Sequence, residues 1–139
     1  MTAAGVSTAL IEALNVARRA EKAQAHFYHA LAGCAEVAGD VLAADRLNGL
    51  LADEQHHYSR LSARLLELDQ PVPDVIVDPD TPAFAEWEDV AREREQREIE
   101  RYRSLLSLDA DARTAVMIRE FLAAELRHAE ELGGKWMGA

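Results

Sequence analysis

The sequence predicts an all-α protein, a four-helix bundle with one long crossover between its second and third helices. Three observations carry this. Both halves of the chain are rich in Ala, Leu, Glu and Arg, the strong helix formers. All four prolines (Pro71, Pro73, Pro79 and Pro82) fall in one short segment between those halves. Within each half, seam residues recur at alternating steps of three and four, the spacing of helices packed side by side.

The elements follow in order. The first helix is predicted over 6–38, with Leu10, Leu14, Ala17, Glu21, Gln24, Tyr28, Leu31 and Ala35 on its seam. Gly39-Asp40 breaks it, and the second helix, 41–68, carries Leu47, Leu50, Glu54, His57, Leu61, Leu65 and Leu68. The segment 69–83 is too long for a tight turn. Its 15 residues, extended, reach roughly 50 Å and can run the length of a helix of about 40 Å. A crossover leaves the second and third helices parallel, with Val75-Ile76-Val77 expected to pack across the bundle, while a simple up-down-up-down bundle stays open but would waste this linker. The third helix, 84–107, shows Phe84, Trp87, Ala91, Glu95, Glu98, Tyr102 and Leu105. After Asp109 and Asp111, both suited to an N-cap, the fourth helix runs 111–132 with Ile118, Phe121, Glu125, His128, Leu132 and then Trp136 in register. Gly133-Gly134 ends it.

Length and charge restrict the function. A chain of 139 residues is one domain, 1–139. The formal charge of -10 argues against a nucleic-acid or anionic-membrane surface, and no apolar run approaches the roughly 18 residues of a membrane span. No basic leader precedes an apolar run, so a cytoplasmic protein is expected. The single cysteine, Cys34, excludes a disulfide framework and a Cys-based zinc or iron–sulfur site within one chain; it reads as a small packed residue. His26, His29 and His56 fall off the seams and are expected at the surface, as is most of the alternating-charge run Arg92–Arg103.

The informative residues are polar ones on apolar seams: Glu21, Glu54, His57, Glu95, Glu98, Glu125 and His128. Burying an unpaired carboxylate costs several kcal/mol, and five together repel. Bound divalent cations compensate them best. Glu54-Gln55-His56-His57 and Glu125-Leu126-Arg127-His128 are both Glu-x-x-His, projecting Glu and His from one helix face a turn apart. The halves repeat: Glu21 and Tyr28 match Glu95 and Tyr102 at an offset of 74, and the Glu-x-x-His pairs match at 71. The three-residue difference suggests a shorter turn in the second half. Two copies of a helix pair would together supply a two-metal site.

With these residues in hand, the chain resembles the ferritin-like di-iron carboxylate proteins, and within them the rubrerythrins. The general pattern of Glu, Glu-x-x-His, Glu, Glu-x-x-His is present, and Glu98 stands where rubrerythrins carry an extra glutamate. No Cys-x-x-Cys pair follows, so the resemblance is to a rubredoxin-less, erythrin-type member. By the duplicated geometry Glu54 and Glu125 bridge two metals, Glu21 and His57 complete one, and Glu95 and His128 the other. Oxygen-rich ligands with two imidazoles suit iron, with manganese possible. The resemblance implies a peroxidase reducing hydrogen peroxide with electrons from an external rubredoxin-like donor. It makes Glu98 a ligand of the oxidised state that is exchanged for His57 on reduction. Tyr28 and Tyr102 are expected to hydrogen-bond ligand carboxylates or bound peroxide, and Gln24, which matches Glu98, to be a hydrogen-bonding neighbour. It also implies a homodimer, with helix exchange at the crossover an option. A bacterioferritin-type ferroxidase or store acting with dioxygen, and a di-iron hydroxylase, share much of the pattern and stay open.

Overall fold

A computed structural model describes residues 5–78 and 81–133. The described residues form four helices: α1 (Thr8–Ala38), α2 (Val41–Glu67), α3 (Trp87–Leu106) and α4 (Ala112–Leu132). Their ends follow capping chemistry. The side chains of Ser7, Asp40 and Asp111 accept from the backbone N–H groups of Leu10, Ala43 and Thr114, which are free donors of each first turn. Gly39, at φ 72°, takes the left-handed conformation that closes α1 and donates to the carbonyls of Ala35 and Glu36. The third helix starts at Trp87 rather than at residue 84, because Glu86 is itself left-handed (φ 56°) and breaks the helical path.

Helix directions follow from which residues share an apolar cluster. One cluster joins Leu10 and Leu14 of α1 to Leu61 and Leu65 of α2, Tyr102 and Leu105 of α3, and Ile118 and Phe121 of α4. The other joins Phe27, Leu31 and Ala35 to Leu47 and Leu50, Trp87 and Ala91, and Leu132. The start of α1 therefore lies with the end of α2, the end of α3 and the start of α4. Helices α2 and α3 run parallel, and the connection between them travels the length of the bundle, as its length predicts. Helix α1 packs on α2 and α3 on α4, with α1 also touching α3 and α2 touching α4. Among the described residues, the seam residues expected from periodicity are buried, except Phe84, which is half-buried against the second cluster. Trp87 closes that end of the core. Trp136, Gly134 and Pro79 lie outside the described residues. Among the described residues no helix is long and apolar enough to cross a membrane.

Two expectations need correction. The second half does not save its three residues in the turn: that turn has five residues (107–111) against two (39–40) in the first half. The shortening is in the helix, since α1 runs on 17 residues past Glu21 to Ala38 and α3 only 11 past Glu95 to Leu106. Nor does the whole Val75-Ile76-Val77 run pack inward. Extended backbone alternates its side chains, so Val75 and Val77 are half-buried while Ile76 is 93% exposed.

A buried arginine fastens the crossover. Arg18 is 4% exposed. Its guanidinium donates to Ser62 Oγ (2.7 Å), Tyr58 Oη (2.9 Å) and the carbonyls of Val72 (3.4 Å) and Pro73 (2.8 Å), and it lies over the Tyr58 ring. One side chain thus ties α1 to α2 and both to the start of the crossover. Arg18→Ala should lower the unfolding free energy by about 2–3 kcal/mol in urea titration, since four acceptors lose a charged donor. It should also expose the crossover to limited proteolysis; unchanged stability and cleavage would show that the crossover is held elsewhere.

Candidate metal centre

Between the two apolar clusters lies a layer of charge. Glu21, Glu54, Glu95 and Glu125 are fully buried, and His57, His128 and Glu98 are 3–5% exposed. Each helix contributes because each carries its acidic residue on the inward seam at the same height. Two overlapping groups result. Glu21, Glu54, His57 and Glu125 offer ligand atoms within 4.8 Å of one another, and so do Glu54, Glu95, Glu125 and His128. Glu54 and Glu125 belong to both groups, each with two oxygens to share.

The contacts show how tightly these groups converge. His57 Nδ1 is 2.9 Å from Glu21 Oε2, 3.5 Å from Glu54 Oε1 and 3.8 Å from Glu125 Oε1. His128 Nδ1 is 3.1 Å from Glu125 Oε1, 3.6 Å from Glu95 Oε2 and 3.9 Å from Glu54 Oε1. Both oxygens of Glu54 and of Glu125, one oxygen each of Glu21, Glu95 and Glu98, and His128 Nδ1 are buried without a hydrogen-bond partner. Native interiors rarely leave one such atom unsatisfied. Here seven belong to the two ligand groups, and once deprotonated they are the oxygen and nitrogen donors a divalent cation takes. The residues fit a metal, and the two groups could each hold one ion.

Electrostatics point the same way. Desolvation, then repulsion from Glu125 and Glu98, holds the Glu21 carboxyl well above its ordinary range; desolvation and Glu21 do the same to Glu54. Burial pushes Glu125 up to about 8. Burial lowers His57 to about 3, so it is a neutral imidazole. Burial would depress His128 too, but its hydrogen bond to Asp53 and the Glu125 and Glu95 carboxylates beside Nδ1 outweigh that and raise it to about 11.

The other expected site residues divide. Tyr28 donates to Glu95 Oε1 at 2.5 Å, and Gln24 Nε2 reaches the same oxygen at 3.2 Å. Tyr102 is equally buried, but its hydroxyl has no hydrogen-bond partner. Both phenols are held well above their ordinary pKa by desolvation and by the carboxylates beside them, so both keep their protons. Glu98 is near Glu21 yet in neither ligand group, and its Oε1 accepts from Arg101 at 2.5 Å. His26, His29 and His56 are exposed and Cys34 is half-buried.

Two features were not expected from sequence. Asp53 Oδ2 stands 2.7 Å from His128 Nε2, fixing that ring so that Nδ1 faces the centre. Its duplicate position is Ala124, so His57 has no equivalent carboxylate and instead lies against the Phe121 ring at 4.2 Å. An acidic residue directly before one Glu-x-x-His was the available signal. Second, Arg94 and Arg101 do not simply face solvent: Arg94 donates to Gln24 at 2.7 Å and covers the Phe27 ring, while Arg101 holds Glu98.

Protein-family models, curated proteins and solved structures were compared with the chain, and none matches.

Two predictions follow from the layer. A carboxyl whose pKa is higher folded than unfolded stabilises the fold at low pH, and that stability is lost as pH rises through the folded value. Glu21, Glu54 and Glu125 behave this way, and His128, raised from 6.5 to about 11, acts in the same direction. His57, lowered from 6.5 to about 3, acts oppositely but is spent above 6.5. Between pH 7 and 9 the metal-free protein should therefore lose several degrees of thermal midpoint, read by circular dichroism in chelator. Glu125→Gln should flatten that slope. Separately, Asp53→Ala should weaken cobalt(II) binding at the Glu95–His128 group by about 10–100-fold and leave the other group unchanged, splitting one calorimetric step into two.

Proposed function

We propose that this chain is a rubrerythrin-type peroxidase that holds two irons in the four-carboxylate, two-histidine layer and reduces hydrogen peroxide. The observation that carries this reading is the pair of ligand groups sharing Glu54 and Glu125, with Glu98 as a further carboxylate beside Glu21. Glu21 and His57 would complete one ion's ligands, Glu95 and His128 the other's. Oxygen donors with two imidazoles and no thiolate favour Fe(II) or Mn(II) over copper or structural zinc. Bound there, two ferrous ions would supply the two electrons that, with two protons, turn hydrogen peroxide into two waters, an external redox protein then restoring them.

The chain's own residues prepare the site for that chemistry. Asp53 orients the His128 ring and Tyr28 orients Glu95, so neither ligand needs to reorganise on binding. The buried, protonated and unpartnered Tyr102 hydroxyl is a donor available to an oxygen ligand inside the layer. The apolar clusters above and below exclude water from the layer's two ends. Glu98 supports the peroxidase reading over iron storage, because the bacterioferritin pattern that the chain otherwise resembles lacks this extra glutamate.

The test is anaerobic loading with Fe(II), followed by stopped-flow absorbance against hydrogen peroxide and against dioxygen. Two irons per chain, oxidised much faster by peroxide and without turnover of added iron, is the expected result. Faster oxidation by dioxygen that continues past two irons would move the assignment to a ferroxidase. Loss of paired-metal binding should accompany Glu54→Ala or Glu125→Ala, and a wild-type chain that binds no pair of metals ends the proposal.

A further inference from the structure

We infer that a small cavity between α1 and α3 is the port through which a small neutral or anionic ligand enters the buried layer, with the Arg101–Glu98 pair as its floor. The cavity holds about 230 Å³ and is lined by Ala20, Ala23 and Gln24 of α1 and by Arg94, Arg97, Glu98 and Arg101 of α3. This volume is ample for a molecule of a few heavy atoms.

The floor connects to both ligand groups. Gln24 bonds Glu95, a member of the second group. Glu98 sits beside Glu21, a member of the first, and its Oε2 is buried without a partner. A molecule in the cavity is thus one side chain away from either group. Other grooves exist, on the α1–α2 face beside His26 and Tyr58 and on the α2–α4 face beside Arg60 and Met117, but neither is lined by a residue of the layer. Apolar clusters close both ends of the bundle. On the α2–α4 side stand the two imidazoles, His57 stacked on Phe121 and His128 fixed by Asp53, with the Arg60 guanidinium over the outer side of the Phe121 cluster.

The cavity exists because duplicated positions have diverged in size. Ala20 and Ala23 of α1 correspond, at the offset of 74, to Arg94 and Arg97 of α3. Where one helix carries arginines the facing one carries alanines, and the space between them stays open. The rim is ordered: Arg94 is held by Gln24 and the Phe27 ring, and Arg101 by Glu98. Three guanidiniums on a chain of charge -10 make this a locally positive entrance. It admits neutral or anionic molecules of peroxide size and repels divalent cations, so metal loading uses another route.

This inference rests on the two-metal reading of the layer, and its test separates the two. The wild-type chain and variants are loaded with cobalt(II), the stoichiometry is measured by equilibrium dialysis, and azide association is then followed by stopped-flow visible absorption. Ala20→Leu and Ala23→Leu should each still take two cobalt ions but bind azide about tenfold more slowly. Ala23→Val should fall between Ala23→Leu and wild type. Arg101→Ala, which removes one guanidinium and leaves Glu98 unpaired, should slow azide entry. Ala63→Leu, on the α2–α4 groove, should change nothing. Unaltered azide rates in both leucine variants, or equal slowing in Ala63→Leu, would overturn the port while leaving the metal centre intact. A wild-type chain that takes up fewer than two cobalt ions overturns the metal reading first, and the port with it.

Discussion

The interaction on which the rest depends is repulsion among buried carboxylates. Five glutamates share a layer that water does not reach, and the structure shows the strain in chemical form. Three of them keep protons well above the ordinary range, and one histidine is drawn into its charged form to offset part of the excess. A chain selected only for stability would replace this layer with leucine, as it has done one turn above and below. The apolar clusters therefore have a second role. They supply the folding energy that lets an unfavourable layer exist between them.

The two halves are copies that have drifted apart at chosen points. Asp53 faces Ala124 across the repeat, Gln24 faces Glu98, and Ala20 and Ala23 face Arg94 and Arg97. Each difference falls within reach of the layer. One group gains an oriented histidine and a tyrosine–carboxylate bond; the other gains an extra acid and a neutral imidazole on an aromatic ring. The pseudo-symmetric frame thus presents two unequal groups of ligand side chains.

Much of this was legible in the sequence because burial and period coincide. Glu21, Glu54, His57, Glu95, Glu98, Glu125 and His128 were conspicuous as charges on apolar seams, and the linker's length pointed to parallel helices α2 and α3 over an up-down-up-down bundle. What escaped did so for physical reasons. Asp53 is about 100° off the seam beside Glu54 and half-exposed, so it reads as a surface acid until α4 brings His128 against it. Arg18, Arg94 and Arg101 have side chains long enough to turn back from positions that look solvated. The balance between helix length and turn length at 107–111 is not encoded in spacing, because a six-residue shortening of the helix and a three-residue lengthening of the turn leave only their net difference of three in the sequence. Tyr102 matched Tyr28 in register, yet register does not fix where a hydroxyl finds its partner.

The Arg18 clamp has a bearing on how this chain can change over generations. It recognises the crossover through the carbonyl oxygens of Val72 and Pro73, groups that every amino acid presents. Mutation in the strap can thus alter nearly any side chain without loosening the grip. The selective burden falls on Arg18, Tyr58 and Ser62, three positions on two helices, while the strap itself is free to acquire new surface chemistry. A connection that spans the whole molecule is in this way the part of it most open to innovation.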